Sequence, residues 1–190
     1  MGDPAKKRKM YKNPRKQWDK ELLEEERKLL DFYGLKNKRE LRRVQTWLRN
    51  KKKQARELLA LPLEKRTQRE AELMSSLSKI GLAKEGTTID DVLGLKIEEV
   101  LERRLQTYVY RKGFANSTKQ ARQFITHGHI AINSKKITTP SYLVPLSEVD
   151  RIGWYRKQIK IENHETKKSR EEIKKEFEEA KGEEVEGEIQ

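Results

Sequence analysis

The spacing of hydrophobic residues changes near residue 128, and this change constrains the fold more than any other feature of the chain. Leu101, Leu105 and Val109 recur every four residues, which is typical of the buried face of a helix. From Ile130 to Ile132 the apolar residues alternate with other residues, as in a strand. Helices and a small sheet therefore share this part of the chain, and we predict the α+β class.

Start and stop signals divide the helical part of this segment into two helices. The first is predicted over 97–112, and Gly113 lies where a left-handed C-cap belongs. Ser117 and Gln120 form a capping box that opens the second helix, and Gly128 ends it. The residues of the second helix predicted to face inward are Ala121, Phe124 and Ile125.

Short antiparallel strands are predicted after the second helix. Residues 133–136, Asn-Ser-Lys-Lys, favour a hairpin turn from which Ile137 returns. The segments 141–144 and 151–155 are predicted as further short strands. The two helices and these strands make up a predicted small domain over 96–161.

A helical domain is predicted over 19–95. Its first helix begins near Asp19 and stops at Gly34, and its second covers Lys38–Leu61. A third helix is predicted over Glu64–Ile80, followed by a short one that Thr87 or Thr88 caps and Gly94 closes. Two tryptophans, Trp18 and Trp47, are predicted as structural anchors rather than stacking platforms for bases.

Charge is divided unevenly along the chain. The whole sequence has 44 Lys and Arg against 31 Asp and Glu, a formal net charge of +13. Residues 162–190 hold six basic and eleven acidic residues, so this predicted helical-to-disordered tail carries −5 and the rest carries +18. Residues 1–18 form a basic arm in which Pro4 and Pro14 argue against regular structure. A positive charge of +18 outside the tail favours a polyanionic partner over a merely well-solvated surface.

Several classes of protein are excluded or disfavoured. The chain has no cysteine, which excludes disulfides and thiolate metal sites, and no apolar run approaches the length of a membrane span. His127 and His129 form a His-x-His pair that lacks further ligands, so we predict no metal, no cofactor and no catalytic residue. We therefore expect a protein that is not an enzyme.

The outward positions of the two predicted helices carry candidate nucleic-acid contacts. Arg104 and Arg111 are two helical turns apart, so they are predicted to share an exposed face with Thr107. Lys119 and Arg122 lie on one side of the next helix, which begins with a positive dipole that favours phosphate.

The order of motifs in this segment resembles the S4 family of RNA-binding domains. The N-terminal half is similar to the archaeal and eukaryotic form of the small-subunit ribosomal protein family that carries this domain. In the small domain the resemblance rests on residues 102–107, 113–115, Ser117, 121–125, 127–130 and 140–142. In the N-terminal half it rests on Gly2-Asp3-Pro4, Tyr33-Gly34-Leu35, Asn37-Lys38-Arg39-Glu40 and residues 55–59.

The resemblance implies a structural protein of the small ribosomal subunit that binds ribosomal RNA early in assembly. It also implies neighbouring ribosomal proteins as partners, messenger RNA (mRNA) nearby where it enters the subunit, a contribution to decoding accuracy, and a cytoplasmic location. The RNA surface implied for the small domain consists of Arg103, Arg104, Thr107, Arg111, Ser117, Lys119, Arg122, Gln123, His129, Lys135 and Lys136. Cations predicted to add to it from the N-terminal half are Lys7, Arg8, Lys9, Arg39, Arg42, Arg43, Lys52 and Arg56.

Some alternatives remain open at this point. Ser117 has a second role as helix cap, and Gln106 and Thr107 have a second role as packing residues at the seam between helix and hairpin. A stand-alone RNA-binding factor, or an accessory domain of an RNA-modifying enzyme, could use the same small domain. DNA binding by a helix-turn-helix is disfavoured, because the second helix leads directly into a hairpin.

Overall fold

A computed structural model describes residues 9–84, 86–156 and 159. The predicted α+β class is confirmed, with eight helices and one three-stranded antiparallel sheet in these ranges. No helix within them is both long and apolar enough to cross a membrane. The elements are α1 Lys20–Phe32, α2 Lys38–Leu59, α3 Leu63–Ile80, α4 Ile89–Gly94, α5 Ile97–Glu102, α6 Leu105–Arg111, α7 Thr118–His127, β1 Ile130–Ile132, β2 Lys135–Lys136, α8 Leu146–Val149 and β3 Ile152–Trp154.

The helices of the N-terminal half begin and end close to their predicted limits. The Asn37 side chain caps α2 by accepting the main-chain N–H of Glu40 at 3.2 Å. Gly81 ends α3 in the left-handed conformation, with φ of +82°. Thr88, one of the two candidates, caps α4 through a capping box with Asp91. Local side-chain chemistry therefore sets these ends, and it is readable from the sequence.

An apolar core joins α2, α3, α4 and α5. Leu48 and Ala55 of α2 are buried against Leu77 of α3, Val92 of α4 and Val100 of α5. This core extends beyond residue 95, and the described residues up to Ile159 form one compact unit. The boundary between the two domains at 95/96 stays a prediction.

The helix predicted over 97–112 is two helices, so the single-helix prediction is wrong. Arg104 lies between α5 and α6 with φ of −76° and ψ of 144°, which is an extended conformation. The main-chain N–H of Leu105 donates to Tyr142 O at 2.8 Å, and that of Val144 donates to Arg103 O at 3.0 Å. These bonds to a distant segment replace helical ones, and no local signal of 97–112 encodes them.

The same bonds explain why residues 141–144 do not form the predicted strand. In this segment one isolated antiparallel bridge joins Leu143 to Arg104. The predicted strand at 151–155 is confirmed as β3.

The sheet forms as the change of period predicts. The turn is shorter than predicted, because Lys135 and Lys136 belong to strand β2. Asn133 and Ser134 alone form it, with φ of +51° and +64°, as a two-residue type I′ hairpin turn requires. Strand β1 lies in the middle, paired with β2 on one side and β3 on the other. A second core contains Leu105, Val109, Ala121 and Ile125 from α6 and α7 together with the isoleucines of the sheet.

Part of the basic arm lies against α2. The main-chain N–H of Lys12 donates to Thr46 Oγ1 at 3.0 Å, and Arg42 Nη1 donates to Asn13 Oδ1 at 3.3 Å. The predicted tail over 162–190, and Lys7 and Arg8 of the predicted RNA surface, lie outside the described residues.

Candidate nucleic-acid interface

A glutamate lies among the predicted RNA-binding arginines. Glu40, in the first turn of α2, accepts from Arg104 Nη2 at 3.1 Å. It also accepts two bonds from the Arg122 guanidinium of α7, at 3.0 Å and 2.6 Å. A two-pronged Arg–carboxylate pair of this kind is fixed in orientation as well as in distance. The carboxylate therefore joins the N-terminal helices to the small domain.

The prediction that Arg104 faces outward beside Arg111 is wrong. Arg104 is 1% exposed, and it is the residue before α6 rather than part of a continuous helix. Because the helix is interrupted there, the two-turn spacing no longer brings the two side chains to one face. Arg104 belongs to the folded interior and is not available to RNA.

The electrostatics of this cluster keep Glu40 ionised. Burial acts to raise the pKa of its carboxyl group, but the hydrogen bonds from Arg122 and Arg104 outweigh burial and leave the pKa below its ordinary value. For Arg104, burial lowers the pKa and the bond to Glu40 opposes that effect. An arginine stays protonated in either case, so the cluster carries one negative and two positive charges.

A second contact between the two halves involves the Gln106 side chain. Its amide nitrogen donates to Gly34 O and Thr118 O, both at 2.9 Å, and to Tyr33 O at 3.2 Å. Gln106 is therefore a packing residue, but it lies against the chain between α1 and α2 rather than at the helix–hairpin seam.

Burial, helped by the carboxylates of Glu102 and Glu98, raises the pKa of the Tyr33 hydroxyl to about 12.

Other predicted contact residues have partners inside the fold. Arg103 donates to Gly81 O at 2.8 Å and to the Tyr108 hydroxyl at 2.7 Å. The Arg111 guanidinium pairs with Glu102 through bonds of 3.2 Å and 2.5 Å. These side chains are anchored, and RNA contact by them would use only their remaining donors.

The two hydroxyl groups among the predicted contacts are also used by the fold. Thr107 is 5% exposed, and its hydroxyl donates to Leu101 O at 2.9 Å. Thr107 therefore serves as a packing residue, one of its two open roles. Ser117 caps α7 by accepting the main-chain N–H of Gln120 at 3.1 Å, which confirms its predicted role as helix cap. The predicted capping box is incomplete, because the Gln120 side chain accepts the main-chain N–H of Asn116 instead of that of Ser117.

The remaining predicted contacts of the small domain are exposed polar side chains. None of its predicted lysines makes an ion pair with another described residue. The side chain of Lys136 crosses Gly128, where an added Cβ would lie 1.9 Å from Lys136 Cε. The exposed members are Lys119, Gln123, His129, Lys135 and Lys136.

The two histidines contact each other and Phe124 through their rings. His129 stacks on His127 with ring centroids 6.3 Å apart and meets the edge of Phe124 at 6.2 Å. Within the described ranges, no three His, Asp or Glu side chains come together in a way that could hold a metal ion.

Exposed cations also follow α2. Arg39, Arg43 and Arg56 are exposed, whereas Arg42 is tied to Glu26 at 3.5 Å and to Asn13. Arg39 and Lys9 lie over the ring of Tyr11, 5.9 Å and 4.7 Å from its centroid. An open groove runs between the arm, α1, α2 and α5, and its cationic lining residues are Lys12, Arg49, Lys52 and Arg56.

The two tryptophans differ. Trp47 packs against the core of the N-terminal helices, which confirms its role as an anchor. Trp18 is 89% exposed, so the anchor prediction is wrong for it. Its neighbours in the arm are polar, and a single aromatic residue without an apolar period gives no indication of where it packs.

Sequence reasoning missed Glu40 and Tyr11. Tyr11 lies in an arm whose contacts to α2 depend on tertiary structure. Glu40 did have a signal, because Asn37 with Glu40 three residues later has the spacing of a capping box. In the structure the Glu40 side chain bonds two arginines across the molecule, which this local spacing does not predict.

Comparison with known proteins identifies the family of the small domain and relatives of the whole chain. The S4 domain family matches residues 103–150, the segment of α6, α7 and the hairpin, and this defines the chain as an S4-domain protein. Small ribosomal subunit protein uS4 of Saccharolobus islandicus is 51% identical over 156 residues, which cover 82% of this chain and 86% of that protein.

Two further relatives have the same name. The protein of Ignicoccus hospitalis is 51% identical over 81% of this chain and 93% of its own length. That of Methanococcus aeolicus is 50% identical over 81% and 88%, respectively. The chain belongs to the family of small ribosomal subunit protein uS4.

Proposed function

We propose that this protein is a structural constituent of the small ribosomal subunit and binds its ribosomal RNA. The observation that carries the proposal is the set of exposed cations on α2, α7 and the hairpin that make no ion pair with another described residue, in a chain whose relatives are small-subunit proteins. A chain of net charge +13 is attracted to a polyanion, and RNA in a ribosome is a polyanion of fixed shape.

The exposed side chains favour contact with the RNA backbone over reading of bases. Lys119, Lys135 and Lys136 present mobile point charges that suit phosphate oxygens. Gln123 and His129 add donors that can reach ribose hydroxyl groups. Folded RNA closes its deep groove to side chains, so contact with shape and backbone is the usual mode for structured RNA.

More specific roles follow from the resemblance and are part of the proposal. The protein joins ribosomal RNA early in assembly and contributes to decoding accuracy. It lies near the position where mRNA enters the subunit and touches neighbouring small-subunit proteins. We propose that it resides in the cytoplasm, within the ribosome, and acts without catalysis.

Sequencing of RNA crosslinked to the protein in cells tests the proposal. We expect small-subunit ribosomal RNA to dominate the recovered sequences. Recovery of transfer RNA or mRNA without ribosomal RNA would instead support a stand-alone factor. Crosslinks confined to one modified RNA position, together with loss of that modification in a deletion strain, would support the accessory role in an RNA-modifying enzyme.

A further inference from the structure

We infer that Glu40 is a positioning residue for RNA binding: its carboxylate fixes α2 relative to α7, so that the cations of both helices engage one RNA segment together. The inference rests on the proposed function and adds a role for an acidic residue within the RNA-binding surface. No RNA contact is assigned to Glu40 itself.

The bonding pattern supports this role. Glu40 receives three hydrogen bonds from two arginines that are 64 and 82 residues away in sequence. Its own side chain is 18% exposed, while that of Arg104 is 2% exposed. A partly dry, two-pronged ion pair restricts rotation between the elements that carry it.

An exposed cation lies beside the ion pair on each helix. Arg43 lies three residues after Glu40 on α2. Lys119 lies three residues before Arg122 on α7. Side chains three or four residues apart on a helix are neighbours, roughly 5–6 Å apart at Cβ. The ion pair is therefore the point at which two helix surfaces that carry exposed cations meet.

Two other contacts fix the same seam. Gln106 donates to the main chain at Gly34 and Thr118, and Tyr33, Leu35, Leu41 and Leu101 form a small apolar cluster beside it. Several contacts of this kind define one orientation, because each alone would still allow rotation about itself. A preorganised surface loses less entropy on binding than two surfaces that must be aligned.

Positioning and plain electrostatics predict opposite signs for one substitution. Glu40→Gln removes a negative charge from a surface that binds a polyanion, so electrostatics alone predicts tighter binding. If Glu40 aligns the helices, affinity falls instead, because Arg104 and Arg122 lose their common anchor. The same phosphate contacts form once the two helices are aligned in the complex. The salt dependence of binding therefore stays the same.

The experiment titrates the full-length chain with small-subunit ribosomal RNA at several salt concentrations. Glu57→Gln is the matched control, since it makes the same change on α2 at a residue whose side chain is 62% exposed. We expect Glu40→Gln to weaken binding roughly tenfold with an unchanged salt slope, and Glu57→Gln to bind like the wild type or slightly more tightly. Equal or tighter binding by Glu40→Gln would overturn the inference.

Arg122→Lys provides a second and independent test. It keeps the charge but loses the two-pronged pair with Glu40, so positioning predicts weaker binding and electrostatics predicts no change. Circular dichroism and the stoichiometric end point of the titration measure the folded, competent fraction of each variant. If the fall in apparent affinity is fully explained by a smaller folded, competent fraction, Glu40 has a purely structural role.

The same titration separates this inference from the proposed function. If the wild-type chain does not prefer small-subunit RNA over transfer RNA, the proposed function fails. If the wild type has that preference and Glu40→Gln retains its affinity, only the inference about Glu40 fails.

Discussion

The arginines of the S4 domain and those of α2 have the same charge but serve different purposes. In the S4 domain, Arg103, Arg104, Arg111 and Arg122 all bond to main-chain carbonyls, carboxylates or a tyrosine hydroxyl. On α2, Arg42 is likewise bonded, to Glu26 and Asn13, but Arg39, Arg43 and Arg56 remain exposed. The free cations of the S4 domain are lysines instead. Charge counted along a sequence therefore does not show how much of it a polyanion can reach.

The chemistry of the two side chains explains this division. Arginine has five donors in a rigid plane, so one guanidinium can join two acceptors and hold elements together. Lysine keeps its ammonium hydrated at the end of a flexible stem and is easily left in solvent. In the S4 domain the first property stabilises the fold, and the second leaves positive charge at the surface.

The largest effect is expected where an arginine is most internal. Arg104→Ala removes one partner of a buried ion pair, and the free energy of unfolding should fall by about 3–5 kcal/mol, because Glu40 is left short of a donor and a buried space is emptied. Urea unfolding measures the change. Arg43→Ala on α2 is the control and should stay within about 0.5 kcal/mol of the wild type. If the two substitutions lower the free energy of unfolding equally, the proposed difference between the arginines of the S4 domain and those of α2 is wrong.

A smaller effect is expected from the glycine at the seam. Gly34 has φ of +59°, and an added Cβ would lie 2.5 Å from Thr118 Oγ1. Gly34→Ala should therefore destabilise the fold by about 2–4 kcal/mol, through backbone strain and overpacking. Gly94→Ala is the control, since its Cβ would meet nothing within 4 Å. Thermal unfolding measures the midpoint temperature of each variant. Equal midpoints for Gly34→Ala and Gly94→Ala would contradict the close contact at Gly34.

The stability of the wild-type protein and that of Glu40→Gln should depend differently on pH in the acid range. The pKa of Glu40 is lower in the folded protein than its ordinary value of 4.5, so ionisation of Glu40 stabilises the fold at every pH above that ordinary value. That stabilisation is lost as pH falls through the lower, folded-state pKa. We expect wild-type protein and Glu40→Gln to differ in stability at pH 7 and to converge only as the pH falls below the lowered, folded-state pKa of Glu40. A gap that stays constant with pH would show that the Glu40 charge is not involved.

The smallest effect on stability is expected at the free lysines. Lys135→Ala with Lys136→Ala should leave unfolding within about 0.5 kcal/mol of the wild type. The same pair should flatten the salt dependence of RNA binding by roughly one unit per lost phosphate contact. Arg111→Ala provides the comparison, because Arg111 is paired with Glu102 and should change the slope less. A larger slope change from Arg111→Ala would place RNA contact on a paired arginine.

The sequence predicted the elements whose ends depend on local chemistry. Ser117, Gly128 and the Asn133–Ser134 turn lie in the structure as predicted, because caps and tight turns are set by residues a few positions apart. Arg104 and the segment 141–144 could not be predicted in this way. Their conformations depend on main-chain hydrogen bonds between residues about 40 positions apart. The spacing of hydrophobic residues does not predict such pairing.

The candidate surface was predicted by composition more reliably than by orientation. Exposed lysines such as Lys119 and Lys135 follow from the cost of burying an ammonium group. Whether an arginine points outward depends on an acceptor elsewhere in the chain, as Glu40 shows for Arg122. Predicting that acceptor requires the tertiary fold.

The Glu40 seam also has a consequence for the order of events during synthesis. Arg122 follows Glu40 by 82 residues, so at translation rates of about 5–20 residues per second it is made roughly 4–16 seconds later. Helices form within microseconds, so α2 can form long before its partner exists. During that interval Glu40 can be hydrated and Gly34 uncovered. We expect the two halves of the molecule to lock together only as the second half leaves the ribosome that makes it.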